Sequence, residues 1–91
     1  MHKYTKPTLQ KLELLFKELE YTIRYEKGSF NSGYCIVENN KVVVINKFFD
    51  TDGRVAILMD ILENILTDDT VLSDKSRQFF KNMQKLHLNI N

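Results

Sequence analysis

The run Lys41-Val42-Val43-Val44-Ile45-Asn46 constrains this chain more than any other segment. A strand with one wet face alternates apolar and polar residues. An unbroken apolar run instead predicts a central strand covered on both faces, or one whose second face meets another subunit. Asn39-Asn40 just before it reads as a two-residue turn, because Asn tolerates the positive φ of a primed hairpin. The preceding segment, Tyr34-Cys35-Ile36-Val37-Glu38, is then its hairpin partner. Further upstream, Tyr21-Thr22-Ile23-Arg24-Tyr25 alternates with a period of two and predicts another strand. Residues 27–33 carry glycines at Gly28 and Gly33 and read as a loop.

Helical signals flank these strands. Pro7 suits a first turn, with Thr5 or Lys6 as its cap. Leu9, Leu12, Leu15, Phe16 and Leu19 follow at helical spacing to about Leu19. Asp50 or Thr51 can cap a second helix with the stripe Val55, Leu58, Met59, Leu62, Ile65 and Leu66; Gly53 weakens its start. After a break at residues 67–70, Ser73 caps a last helix whose core face is Phe79, Phe80, Met83 and Leu86, and residues 87–91 fray. The fold class expected is α+β in the order α-β-β-β-α-α, a three-stranded antiparallel meander with helices packed on it. The 91 residues fit a single domain, 1–91.

Composition narrows the function classes. Thirteen basic and twelve acidic residues leave a formal charge of +1, which gives no global case for nucleic acid or membrane binding. Cys35 is the sole cysteine, so no internal disulfide forms and a reducing, cytoplasmic setting is expected. Residues 1–7 lack the apolar run of a signal peptide, and no stretch approaches the roughly 18 apolar residues of a membrane span.

Two resemblances follow from particular residues. Tyr21-Thr22-Ile23-Arg24-Tyr25-Glu26-Lys27-Gly28, Ser32-Gly33-Tyr34-Cys35-Ile36-Val37 and Val43-Val44-Ile45-Asn46-Lys47-Phe48-Phe49-Asp50-Thr51 resemble a family of short bacterial proteins without an assigned activity, across roughly residues 9–66. The resemblance implies a bacterial cytoplasmic protein. The strand followed by a helix with Leu58-Met59-Asp60-Ile61-Leu62-Glu63-Asn64 is also similar in layout to the core of small zinc peptidases, which carry Leu-x-His-Glu-x-x-His. Asp60 and Asn64 fall where the histidines would lie, and Ile61 where the general base would lie. Zinc needs imidazole or thiolate ligands converging from one face, so the resemblance implies no zinc chemistry here.

Few residues suggest chemistry. Cys35 lies mid-strand, and the only histidines, His2 and His87, lie near the two ends, so a small buried hydrophobe is the plainer reading. The glycine-bounded loop could cradle an anion with Arg24, Lys27, Phe30, Asn46 and Lys47 as its ligand-binding set, although a hairpin connection is the simpler use. Phe30 is the exception, since an aromatic in a polar loop must fold onto the core or await a partner. Asp60, Glu63, Asp68 and Asp69 could pair as acid and base, but a solvated helix face is commoner. Lys75, Arg77, Lys81 and Lys85 bias the last helix toward positive charge and are the candidate nucleic-acid residues.

Together these readings predict a small non-enzymatic binding or adaptor protein without cofactor or metal, engaging another protein or a second copy of itself. Sheet-mediated dimerisation is expected because Val42 to Ile45 need cover on two faces, with Phe48-Phe49 directly after. The alternatives are nucleic-acid binding by the basic last helix and an enzyme or sensor holding a small anion at the Gly28–Gly33 loop.

Overall fold

The computed structural model describes residues 4–27, 34–37, 41–66 and 68–90, of which 34–37, Asp69 and 87–90 are described as backbone alone. The predicted glycine loop with Phe30, the Asn39-Asn40 turn and His2 lie outside the described residues. The order is α1 (Lys6–Glu18), β1 (Thr22–Glu26), β2 (Tyr34–Val37), β3 (Val42–Asn46), α2 (Thr51–Ile65), a 3-10 turn at Asp69–Val71, and α3 (Asp74–Ile90). The chain is α+β. No helix among the described residues is long and apolar enough to cross a membrane.

The caps fall on residues with short polar side chains. Thr5 Oγ1 accepts from Thr8 N–H at 3.3 Å, and Asp50 Oδ1 accepts from Gly53 N–H at 2.8 Å. A Cβ on Gly53 would stand 2.9 Å from Phe49 Cδ1, so the weak helix former is matched to a close ring. At the end of α1, Tyr21 N–H donates to Phe16 O and Glu20 N–H to Lys17 O, with Glu20 at φ 66°. This is a Schellman turn, and its usual apolar contact is made by the Phe16 and Tyr21 rings, edge to face at 6.2 Å. It reverses the chain from helix into strand within two residues.

The antiparallel meander is not what forms. The sheet order is β1-β3-β2: β2 is antiparallel to β3 as a hairpin partner should be, but β1 runs parallel to β3. A meander would have made β2 central and left β3, the most apolar strand, as an exposed edge. The sequence expectations of a meander and of a central β3 were incompatible, and the second prevails because bare apolar edges are costly. With β1 beside it, Val43 and Ile45 gain Ile23 and Tyr25 as neighbours in register.

The helices bury one face of this sheet. Val43 and Ile45 are fully buried with Leu12, Phe16, Val55, Leu58, Met59 and Leu62. Val42 and Val44, on the opposite face, are only half-buried. The expected cover on both faces is therefore absent among the described residues of the single chain. α1 and α2 pack together over the sheet, and α3 packs on α2. α3 stays helical to Ile90 rather than fraying at His87; Phe80 and Met83 are buried, whereas Leu86 is 51% exposed and leaves the expected core face.

One-sided burial predicts unequal losses in urea unfolding. Ile45→Ala should cost about 2–5 kcal/mol and Val44→Ala under about 1. Equal losses would mean that the second face is also sealed.

Candidate functional site

Of the predicted anion-binding residues, Phe30 lies outside the described residues, Arg24 lies midway along β1, and Lys27, Asn46 and Lys47 lie at the C-terminal ends of the parallel strands, where Asn46 and Lys47 help to hold the turn into α2. Asn46 Oδ1 accepts from Phe48 N–H at 3.1 Å. Arg24 pairs with Glu26 on the half-open sheet face. Lys47 N–H donates to Glu26 O at 3.0 Å, and its ammonium stands 6.0 Å from the exposed Phe48 ring. Lys27 is exposed. Arg54, not singled out from sequence, organises this end. Its guanidinium donates to Phe49 O at 2.9 Å and Lys47 O at 2.8 Å, and lies 4.3 Å from the centre of the Tyr25 ring. The Tyr25 hydroxyl donates to Glu13 Oε2. Burial first, and then that bond, push the Tyr25 phenol well above its ordinary range, so it stays a neutral donor. The arrangement straps α1, β1 and α2 together.

Of the four cations of α3, Arg77, Lys81 and Lys85 follow one another at i, i+4 and i+8 on one face, and Lys75 stands apart. Arg77 is held by Asp74 at 2.6 Å and lines a shallow depression with Gln78 and Lys81. Lys75 lies on another flank, toward α1. The acidic cluster is dispersed: Asp60 and Glu63 are exposed on α2, and Asp68 caps the 3-10 turn through Thr70 N–H and Oγ1–H, which lowers its pKa. Asp60 and Asn64, at the positions of the zinc-peptidase histidines, are both on the solvent side, with Asn64 Nδ2 donating to Asp60 O. No group of three or more potential metal ligands exists among the described residues. Cys35 is paired with Val44 in the ladder.

The feature that sequence reading missed is a groove of about 700 Å³ between α1 and α3. Leu14, 61% exposed, and Phe79, half-buried, supply its apolar surface; Lys11, Lys75, Gln78 and Asn82 stand around it. One end is closed by Glu18. Its carboxylate accepts from Ser73 N–H at 3.1 Å and from the Ser76 hydroxyl, while Ser73 Oγ accepts from Ser76 N–H at 3.2 Å. In a capping box the residue three after the cap returns its carboxylate to the cap N–H. Here Ser76 occupies that position, and Glu18 supplies the carboxylate from another helix. The signal for the groove was Leu14 itself, a leucine off the apolar stripe of α1.

The serine bonds lower the Glu18 pKa below 4.5. The folded carboxyl releases its proton more readily than the unfolded one. Its contribution is thus complete above the unfolded pKa and is lost as pH falls through the lower folded value. Glu18→Ala should cost about 1 kcal/mol at neutral pH, read by urea unfolding, with the difference from wild type shrinking in acid. A gap that persists undiminished at low pH would assign the loss to something other than this carboxylate.

No protein-family model, curated protein or solved structure matches the chain, so the geometry of the groove and its surroundings is the ground for a functional reading.

Proposed function

We propose that the chain is a protein-binding module whose α1–α3 groove docks an acidic amphipathic helix of a partner. The observation that carries this is the exposed Leu14 beside Phe79, an apolar strip between two helices that the fold leaves open. Helix-in-groove recognition uses such strips, with the partner supplying anchors at i, i+3 or i+4. Charge sets the partner's chemistry. The two cations at the groove are Lys11 and Lys75, while its one carboxylate, Glu18, is already engaged by two serines. The groove is small. Burying one or two partner side chains yields about 1.5–3 kcal/mol each before the costs of association, so affinity should be modest.

Only three cations share a face of α3, and one of them, Arg77, is held by Asp74, which weighs against the nucleic-acid alternative, since phosphate binding draws strength from several free cations acting together. The anion-loop alternative has Arg24 and Asn46 already engaged.

The test is an NMR titration of the full chain with a panel of designed amphipathic helical peptides, leucines on one face and glutamates on its flanks. Shifts should centre on Leu14, Lys75 and Phe79. Leu14→Glu should abolish them, Lys75→Glu should weaken them, and a lysine-flanked panel should bind less. No shift at these residues with any acidic peptide at millimolar concentration would refute the reading.

A further inference from the structure

Among the described residues β1 is an edge strand, and its open side carries a self-complementary pattern. Thr22 N–H donates to Lys41 O, and Lys47 N–H donates to Glu26 O. In a parallel ladder these bonds fix the parity: Thr22, Arg24 and Glu26 face β3, so the N–H and C=O groups of Ile23 and Tyr25 face outward. No proline or bulge interrupts the strand from Thr22 to Glu26, and Lys27 follows directly after it. The devices that blunt an edge are shortness and charge, here Arg24 and Glu26. Those charges are selective rather than prohibitive, because their spacing makes the strand complementary to itself.

We infer that β1 pairs antiparallel with β1 of a second copy across a two-fold axis at Tyr25. In that register Tyr25 pairs with Tyr25, and Ile23 pairs with Lys27 each way, using the outward backbone groups. Arg24 then stands directly opposite Glu26 of the second copy, and Glu26 opposite its Arg24, so the Arg24–Glu26 pair within each strand joins its counterpart in a cluster of four alternating charges. Facing opposite charges stabilise an antiparallel pair, and facing like charges oppose it. A shift of the dyad to Arg24 would set arginine against arginine, so charge picks the register. On the helix side, Lys27 of the second copy comes opposite Ile23, beside a groove of about 420 Å³ lined by Ile23 and by Glu13 of α1. The Glu13 carboxylate, which accepts the Tyr25 hydroxyl through Oε2, has its second oxygen to share with that lysine. The product is a continuous sheet of order β2-β3-β1-β1-β3-β2 with both sets of helices on one side. This surface lies on the Glu13 and Lys17 flank of α1, away from the Lys11 and Glu18 flank that lines the peptide groove. The two readings therefore succeed or fail separately.

Sedimentation equilibrium of the full chain across a micromolar series tests the pairing. The Arg24 and Glu26 side chains are 61% and 40% exposed, so reversing either charge spares the core, and circular dichroism verifies the fold. Wild type should dimerise. Arg24→Glu and Glu26→Arg should each raise the dissociation constant at least about tenfold. Mixed in equal amounts, the two variants should recover a dimer, because each faces the opposite charge on the other. A wild type that stays monomeric, a dimer indifferent to both reversals, or variants that fail to rescue one another would each overturn the inference.

Discussion

The exclusion of Val43 and Ile45 from water is the constraint around which the other elements are arranged. Both side chains are fully buried on one face of the central strand. Two β-branched residues in a row of alternate positions need a strand on each side and a helix above. β1 and β2 supply the sides; α1 and α2 supply the cover. Because β1 ends and β2 begins at the same end of β3, on either flank, residues 27–33 separate them where a tight turn could not. The mixed sheet is thus a consequence of where the apolar run has to sit.

Two polar devices then hold the helices in place on this core. The Glu13–Tyr25–Arg54 chain ties α1 to β1 and to the turn entering α2. The Glu18 clasp ties the end of α1 to the start of α3. Each links residues distant in sequence through groups that would otherwise lack partners, the first turn of a helix in one case and a half-buried phenol in the other. Pinned at its start and packed on α2, α3 stands off from the middle of α1, and the groove follows from that arrangement.

What could be read from the residues was local. Thr5, Asp50 and Ser73 cap helices because a short polar side chain satisfies its own neighbours' N–H groups, and that information lies within four residues. The β2–β3 hairpin was legible for the same reason. The parallel partner of β3 was not, since periodicity marks a strand without naming its neighbour. Only the conflict between a central β3 and a meander could have exposed the error. Glu18 and Ser76, or Arg54 and Tyr25, meet across long separations, and nothing in their spacing announces it. The groove was half legible. Leu14 lay outside the stripe of α1, yet its significance depended on Phe79 arriving beside it from α3.

The same economy underlies the two surfaces proposed for binding. A domain this small buries a limited share of its surface, and three helices on one face of a three-stranded sheet exhaust its cover. Among the described residues, apolar or hydrogen-bonding groups are left open at the helix groove, at the β1 edge, and on the Val42 and Val44 face. The last is interspersed with Thr22, Arg24 and Glu26, which keep it compatible with water. The groove has less such relief, because Leu14 is largely exposed in it and Phe79, packed in part on the core, remains half-buried. The β1 edge lacks it in another sense, since its outward backbone groups can be satisfied by water but are ordered for a strand. The two surfaces proposed for binding thus fall where the described residues of the fold leave an otherwise regular arrangement incomplete.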